Sequence, residues 1–279
     1  MSESVIEGQV ETEQADIQME NVACDLCGST ENTWLYKQDD RKHNTGLEYC
    51  VVQCESCGLA FLNPQPAPKD LGHFYGDGYY TKRGKPEWDE SYRNRRRYLD
   101  ELPGKKILDL GCARGDFLQY LSEQGYDVTG YEEIYSESPY DFPIYHGSSD
   151  ELKENVSPRD IVTAWGVLAH MRHPGQYFSL AYDCLASGGH FLFTVTNVEN
   201  LACKHLYIED IPRHLTFFSP STAEQYAEKH GFTVENIYHR SDVHSVKYID
   251  FPLFLVRRLF MLPFEDRHSV RKTPGAQRN

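Results

Sequence analysis

Residues 106–115, Lys-Ile-Leu-Asp-Leu-Gly-Cys-Ala-Arg-Gly, constrain this chain more than any other stretch. Ile107, Leu108 and Leu110 form a short apolar run with Asp109 near its end, the pattern of a buried strand. Gly111 and Gly115 let the backbone turn sharply and approach a ligand closely. Asp116 then opens a helical stretch carrying Phe117, Leu118, Tyr120 and Leu121. Strand, glycine turn and helix make half of a nucleotide-binding unit. A second run, Tyr126 to Tyr131, ends at Glu132. A carboxylate at that strand tip suits a ribose diol.

The motif reads Asp-x-Gly-x-x-x-Gly, not the Gly-x-Gly-x-x-Gly of dinucleotide sites, and no Lys-Ser/Thr follows it. The usual tools for gripping phosphate are missing, and an acid stands where a cationic amino acid would dock. S-adenosylmethionine has no phosphate and carries an α-ammonium, so it suits this turn better than NAD or ATP. Asp109, Gly111, Cys112, Ala113 and Gly115 are then the candidates for its methionine end, and Glu132 for its ribose. Ser148 and Ser149 follow a third apolar stretch, 142–146, at the end where ligands sit in open α/β sheets. They are candidates for the adenine edge. Ala164 and Trp165, at the tip of a fourth stretch beginning at Asp160, complete the expected cofactor set. On the motif alone, an ordinary tight strand–helix turn explains the same residues.

Further strands are expected at 190–197 and 232–238, with helices over 91–102, 177–185 and 220–230. Ser219 is a good helix N-cap, and Pro220 suits the first helical position. Strands alternating with helices at this spacing predict an α/β, doubly wound, mostly parallel sheet.

Five of the eight cysteines lie between positions 24 and 57. Cys24-x-x-Cys27-Gly and Cys54-x-x-Cys57-Gly are two knuckles, each placing two thiolates on one side of a turn. Together they offer the four soft ligands of a closed, structural zinc site. A redox dithiol pair or free thiols are the competing readings, and Cys50 lies outside both knuckles. Residues 33–36 and 48–52 read as ribbon strands between them.

The expected organisation is a disordered acidic tail over 1–20, a zinc ribbon over 21–66 and an aromatic linker and helix over 67–104. The cofactor domain follows over 105–245, then an apolar C-terminal helix and polar tail over 246–279. The tail holds six acids and neither Lys nor Arg. In the linker, the segment around Phe74 and Tyr75 is aromatic enough to lie over a ligand pocket, or simply to pack between domains. Arg93, Arg95, Arg96 and Arg97 read as a solvated helix face. The net charge of −14 disfavours nucleic acid as a partner. No run reaches the roughly 18 apolar residues of a membrane span, and no export signal is visible, so cytoplasm is the expected location. The 246–264 stretch suits packing on the fold, a homodimer interface or peripheral membrane contact.

In this order and spacing, the chain resembles a class I S-adenosylmethionine-dependent methyltransferase with an N-terminal zinc ribbon. The resemblance rests on both knuckles, Phe61-Leu62-Asn63-Pro64, Ile107 to Gly115, Glu132, Gly166 to His170, Ser187-Gly188-Gly189 and His214 to Ser219. It implies a Rossmann-like fold and methyl transfer to a small-molecule acceptor. That acceptor would be a sugar, nucleotide-sugar, or polysaccharide or secondary-metabolite intermediate. The sugar C-methyltransferases carry Glu-His-x-x-Tyr-Phe-Ser, against Arg213-His214-Leu215-Thr216-Phe217-Phe218-Ser219 here. The histidine matches; the acid is Arg and the tyrosine is Phe. His170 sits where that branch places another active-site histidine. His214 and His170 are therefore the expected general bases. The family closes with a β-hairpin, but no clear strand is legible after Tyr238. Two alternatives remain: a zinc-ribbon RNA methyltransferase and a non-catalytic S-adenosylmethionine-binding protein.

Overall fold

A computed structural model describes residues 16–40, 45–75, 90–134, 137–199, 210–239 and 265–272. The opening motif is the middle of its largest sheet. Strand β6 (Lys106–Leu110) pairs in parallel with β7 (Asp127–Tyr131) on one side and β9 (Arg159–Trp165) on the other. Ile107, Leu108 and Leu110 are fully buried, as expected of a parallel strand covered on both faces. The short β8 (Ile144–Tyr145) extends the sheet beyond β7, and β10 (Leu185–Thr196) pairs in parallel with β9. Helix α1 (Glu90–Asp100) precedes β6, and α2 (Asp116–Glu123), α3 (Ser149–Asn155) and α4 (Pro174–Cys184) lie between these strands in the chain.

After helix α5 (Pro220–Lys229) comes β12 (Phe232–His239). Ser219 caps α5 through a reciprocal pair with Thr222, and Pro220 occupies its first turn. A strand, β13 (Glu265–Lys272), lies between β10 and β12, antiparallel to both. The sheet order is β12-β13-β10-β9-β6-β7-β8. This supplies the seventh strand, which was not legible in the sequence after Tyr238. Glu-Asp-Arg-His-Ser-Val-Arg-Lys lacks the alternation that marks a strand in sequence. Backbone pairing on two sides makes it one, with Val270 buried in the core. Residues 246–264, expected as a helix, lie outside the described residues.

The cysteine-rich region builds a second sheet. Strands β2 (Asn32–Asp39), β3 (Glu48–Cys54) and β4 (Ala60–Leu62) are antiparallel neighbours. Its fourth strand, β11 (Thr216–Phe217), comes from far downstream and pairs with β4. The ribbon expected over 21–66 is therefore completed by residues more than 150 positions away. Its other end reaches into the expected tail. Strand β1 (Met19–Glu20) pairs with β5 (Gln65–Pro66), Ile17 is buried, and Gln18 donates to Asp70. Acidic composition suggested disorder up to residue 20; pairing with β5 orders Met19 and Glu20.

Among the described residues no helix is long and apolar enough to cross a membrane.

Candidate functional site

A cavity of about 370 Å³ opens at the carboxyl ends of β6, β7 and β9. That is within the usual range for small-molecule sites. Its lining includes Asp109, Gly111, Cys112, Ala113, Glu132 and Trp165 from the expected cofactor set, and His170 at its other end.

The glycine turn is shaped by close packing. Gly111 has φ +72°, and a Cβ there would come 2.5 Å from Val167 Cγ2. Its N–H and that of Cys112 both donate to the Tyr131 carbonyl, tying the turn to the tip of β7. Ala113 takes φ 50°, a left-handed conformation rare outside glycine. Its N–H donates to Glu132 Oε2 at 2.9 Å, and Ile134 N–H donates to Oε1 at 3.0 Å. Each carboxylate oxygen of Glu132 thus keeps one acceptor position for a diol. Gly130 lets β7 pass under the turn: a Cβ there would lie 2.5 Å from Cys112 Sγ.

Asp109 is 4% exposed and accepts a 2.6 Å hydrogen bond from Thr163 Oγ1. Burial pushes its carboxyl up to about 7, against the Thr163 bond and the charge of Arg95. Arg95 departs from the expected solvated face. Its guanidinium lies 5.4 Å from the ring centroids of both Phe117 and Trp165, and it lines the cavity. Tyr92 stands three residues earlier on α1 and shares its helix face with Arg95. A run of four arginines masked the one that points inward. The Trp165 Nε1–H is buried with no acceptor among the described residues. A ligand with a polar edge would satisfy it.

Gly115, Ala164, Ser148, Ser149 and His214 are not among the lining residues. Gly115 caps α2 with φ +86°, and Ala164 is buried within β9. The Ser148 hydroxyl accepts from Glu151 N–H and caps α3, which Ser149 begins. Ile134, 58% exposed, and Glu133 flank Glu132 at the cavity instead.

The other end holds the histidines. His170 Nδ1 lies 3.2 Å from the Arg213 carbonyl and 3.2 Å from Tyr75 Oη. A carbonyl only accepts, so bonding to it puts the proton on Nδ1 and leaves Nε2 with the lone pair. The His214 ring sits 4.6 Å from that of His170, at 69°. Its Nε2 lies 3.4 Å from Asp210 Oδ2, while Arg213 also pairs with Asp210. Burial, with His214 adding to it, pulls His170 down to about 3, so its imidazole is neutral at pH 7. Asp210 was not singled out in the sequence. An acid four residues before a histidine was its only signal.

Donor atoms of His170, Asp210 and His214 lie within 4.8 Å of one another, a composition that suits a divalent cation. Arg213 already neutralises Asp210, and His170 Nδ1 is turned to a carbonyl. Proton handling suits the cluster better than a dication does.

The four knuckle thiols also lie within 4.8 Å of one another, with Sγ–Sγ distances of 3.5 Å for Cys24–Cys57 and 3.4 Å for Cys27–Cys54. Tetrahedral thiolates around zinc stand about 3.8 Å apart, so the donor set fits. Burial pushes the Cys24 thiol well up. Burial acts on Cys54 too, but the N–H groups of Cys57 and Ser56 outweigh it and bring Cys54 down to about 7.

Comparison with known proteins gives a consistent picture. The chain is 26% identical over 118 residues to the ubiquinone biosynthesis O-methyltransferase of Acinetobacter baylyi, covering 36% of this chain and 49% of the relative. It is 29% identical over 148 residues to the tRNA U34 carboxymethyltransferase of Pseudomonas aeruginosa, covering 47% and 46%. The chain thus spans about half the length of the curated relatives it matches. An S-adenosylmethionine-dependent methyltransferase from Mesorhizobium loti superposes with a TM-score of 0.51 at 17% identity, covering 67% of this chain and 99% of that one. A chain of the Haloferax volcanii complex between the Trm112 methyltransferase activator and a methyltransferase gives 0.52 at 18%, covering 68% and 92%. Both show the fold. The methyltransferase-domain profile matches residues 82–237, more than half of the 279, and the chain belongs to that family.

Proposed function

We propose that this chain transfers a methyl group from S-adenosylmethionine to a small-molecule acceptor, most simply a sugar or related hydroxylated intermediate. The observation that carries the reading is one cavity with an acidic cradle at one end and His170 at the other. S-adenosylmethionine supplies an electrophilic methyl on a sulfonium. Asp109 offers a carboxylate to its ammonium, Arg95 a guanidinium to its carboxylate, and Glu132 two acceptors to its ribose diol. Trp165 and Ile134 also line this cavity. His214, oriented by Asp210, removes the acceptor proton. His170, neutral, holds the acceptor hydroxyl through Nε2. The knuckle cysteines Cys24, Cys27, Cys54 and Cys57 hold zinc as a structural site with no open position.

His214→Ala is expected to lower turnover about a hundredfold or more, the usual scale of a positioned base. Its S-adenosylmethionine affinity should stay within about twofold of wild type. Full turnover in this variant removes His214 from the mechanism. Acceptor class is read by transfer of labelled methyl into fractionated extract of the native host. Label in a nuclease-resistant small-molecule fraction is expected. Label in RNA would favour methylation of a nucleic-acid acceptor instead.

A further inference from the structure

We infer that the four-cysteine ribbon is a positioning device for the acceptor end of the site, setting the place of His214 while leaving the cofactor cradle alone. The inference rests on the proposed roles of His214 and of a metal held by the four thiolates.

The segment carrying His214 does not belong to the large sheet. Thr216 and Phe217 pair with Phe61 and Ala60 in β4, and Leu62 N–H donates to the Leu215 carbonyl at 2.9 Å. Strand β4 begins three residues after Cys57. Its entry is held by the second knuckle, where Cys54 N–H donates to the Leu59 carbonyl and Gly58 N–H to that of Cys54. From thiolate to His214 the path is therefore one knuckle, one strand and one ladder of hydrogen bonds.

Side chains follow the backbone. Ile211 and Leu215, on either side of His214, are buried in one cluster with Tyr49, Val51 and Leu62 of the ribbon. Ribbon packing thus grips the chain three residues before the histidine and one residue after it. On the opposite side Leu215 N–H donates to the Ala169 carbonyl at 2.8 Å, next to His170. The Thr216 hydroxyl donates to the Met171 carbonyl. The two histidines meet because a single extended segment is bonded to the ribbon on one edge and to the His170 turn on the other.

The ribbon packs in the same core as Leu108, Leu110 and Tyr131 beneath the cradle, but contributes no hydrogen bond to the cradle among the described residues. Among the described residues, the cavity lining runs from Tyr75 to Tyr177, and none of it comes from 21–66. Its turn is tied to β7 and its carboxylates to β6 and β7. Loss of the metal should therefore loosen 211–217 first, and cofactor binding should persist.

The test is hydrogen exchange over peptides spanning 210–218 in the full chain, before and after metal removal by a chelator under reducing conditions. S-adenosylmethionine calorimetry is run on the same samples. Expected are exchange about tenfold faster or more over 211–218, a Kd within about twofold of the untreated protein, and lost turnover. Leu215→Ala, which keeps all four cysteines, should retain its metal and its cofactor affinity while losing turnover. Unchanged exchange over 211–218 once the metal has gone overturns the inference. So does loss of cofactor binding in step with the metal, which would make the ribbon a general stabiliser of the fold. Full turnover of His214→Ala alongside metal-dependent exchange would remove the proposed role of His214 and leave the coupling standing.

Discussion

At the scale of single residues, Asp109 shows how burial and charge are set against each other. Its carboxyl is pushed up to about 7, from the ordinary range near 4, because burial in the sheet outweighs the hydrogen bond from Thr163 and the charge of Arg95. An acid whose folded pKa is raised favours the folded state most at low pH. That contribution fades as pH rises through about 7. Cofactor binding runs the other way, because the ammonium is attracted only to the ionised form. S-adenosylmethionine affinity measured by calorimetry should rise about tenfold between about pH 5.5 and 7. Asp109→Asn should be weak and flat over the same interval; a profile as steep as wild type would assign the titration elsewhere. The place of Asp109 beside the cavity was legible because an acid next to the glycine turn is a local pattern. Arg95 and Asp210 were not, because what distinguishes them is which neighbour they face, and that is set by elements distant in the chain.

At the scale of elements, the glycine turn after β6 follows from local chemistry and its tightness from distant packing. Gly111→Ala puts a Cβ in the left-handed region, costing about 1–2 kcal/mol. It also drives that Cβ to 2.5 Å from Val167, a stiff β-branched side chain that lines the cavity. Thermal unfolding should show a loss of about 2–4 kcal/mol, with weakened cofactor binding as Val167 is displaced. A variant with wild-type stability and affinity would mean that the turn relaxes freely. Strand β6 was readable from three apolar residues, and α5 from Ser219 and Pro220. Strand β13 was not, since eight mostly polar residues become a strand only by pairing with β10 and β12. The adenine expectation at Ser148 and Ser149 falls on a helix cap outside the cavity lining. Small polar residues after a strand serve either purpose, and the Ser148 hydroxyl is taken by Glu151 N–H.

At the scale of the whole molecule, ribbon and large domain share an interface centred on the first knuckle. Asp25, between Cys24 and Cys27, accepts from Gly175 N–H at 2.9 Å and from the Tyr226 hydroxyl at 3.0 Å. Tyr226 is fully buried, and Lys229 reaches the Leu26 carbonyl beside it. Asp25→Ala would leave the tyrosine hydroxyl buried and unpaired, costing about 1–3 kcal/mol. Denaturant unfolding should show that loss while metal content stays at the wild-type level. A neutral result would mean that water replaces the carboxylate.

The sequence by itself determined the parts whose chemistry is local. These are the strand–glycine–helix cradle, the acid at the tip of β7, the alternation that makes a parallel sheet, and two knuckles whose spacing gathers four thiols. Tertiary structure alone decided that β11 completes the ribbon, that β13 enters the large sheet, and that Arg95 turns inward while Arg93 and Arg97 face solvent. It also brought His170, Asp210 and His214 together. The physical reason is the same in each case. A turn or a knuckle is specified by the conformational preferences and spacing of a few adjacent residues. A shared strand or an inward-facing cation is specified by hydrogen bonds and buried contacts between segments that are neighbours only once the chain has folded.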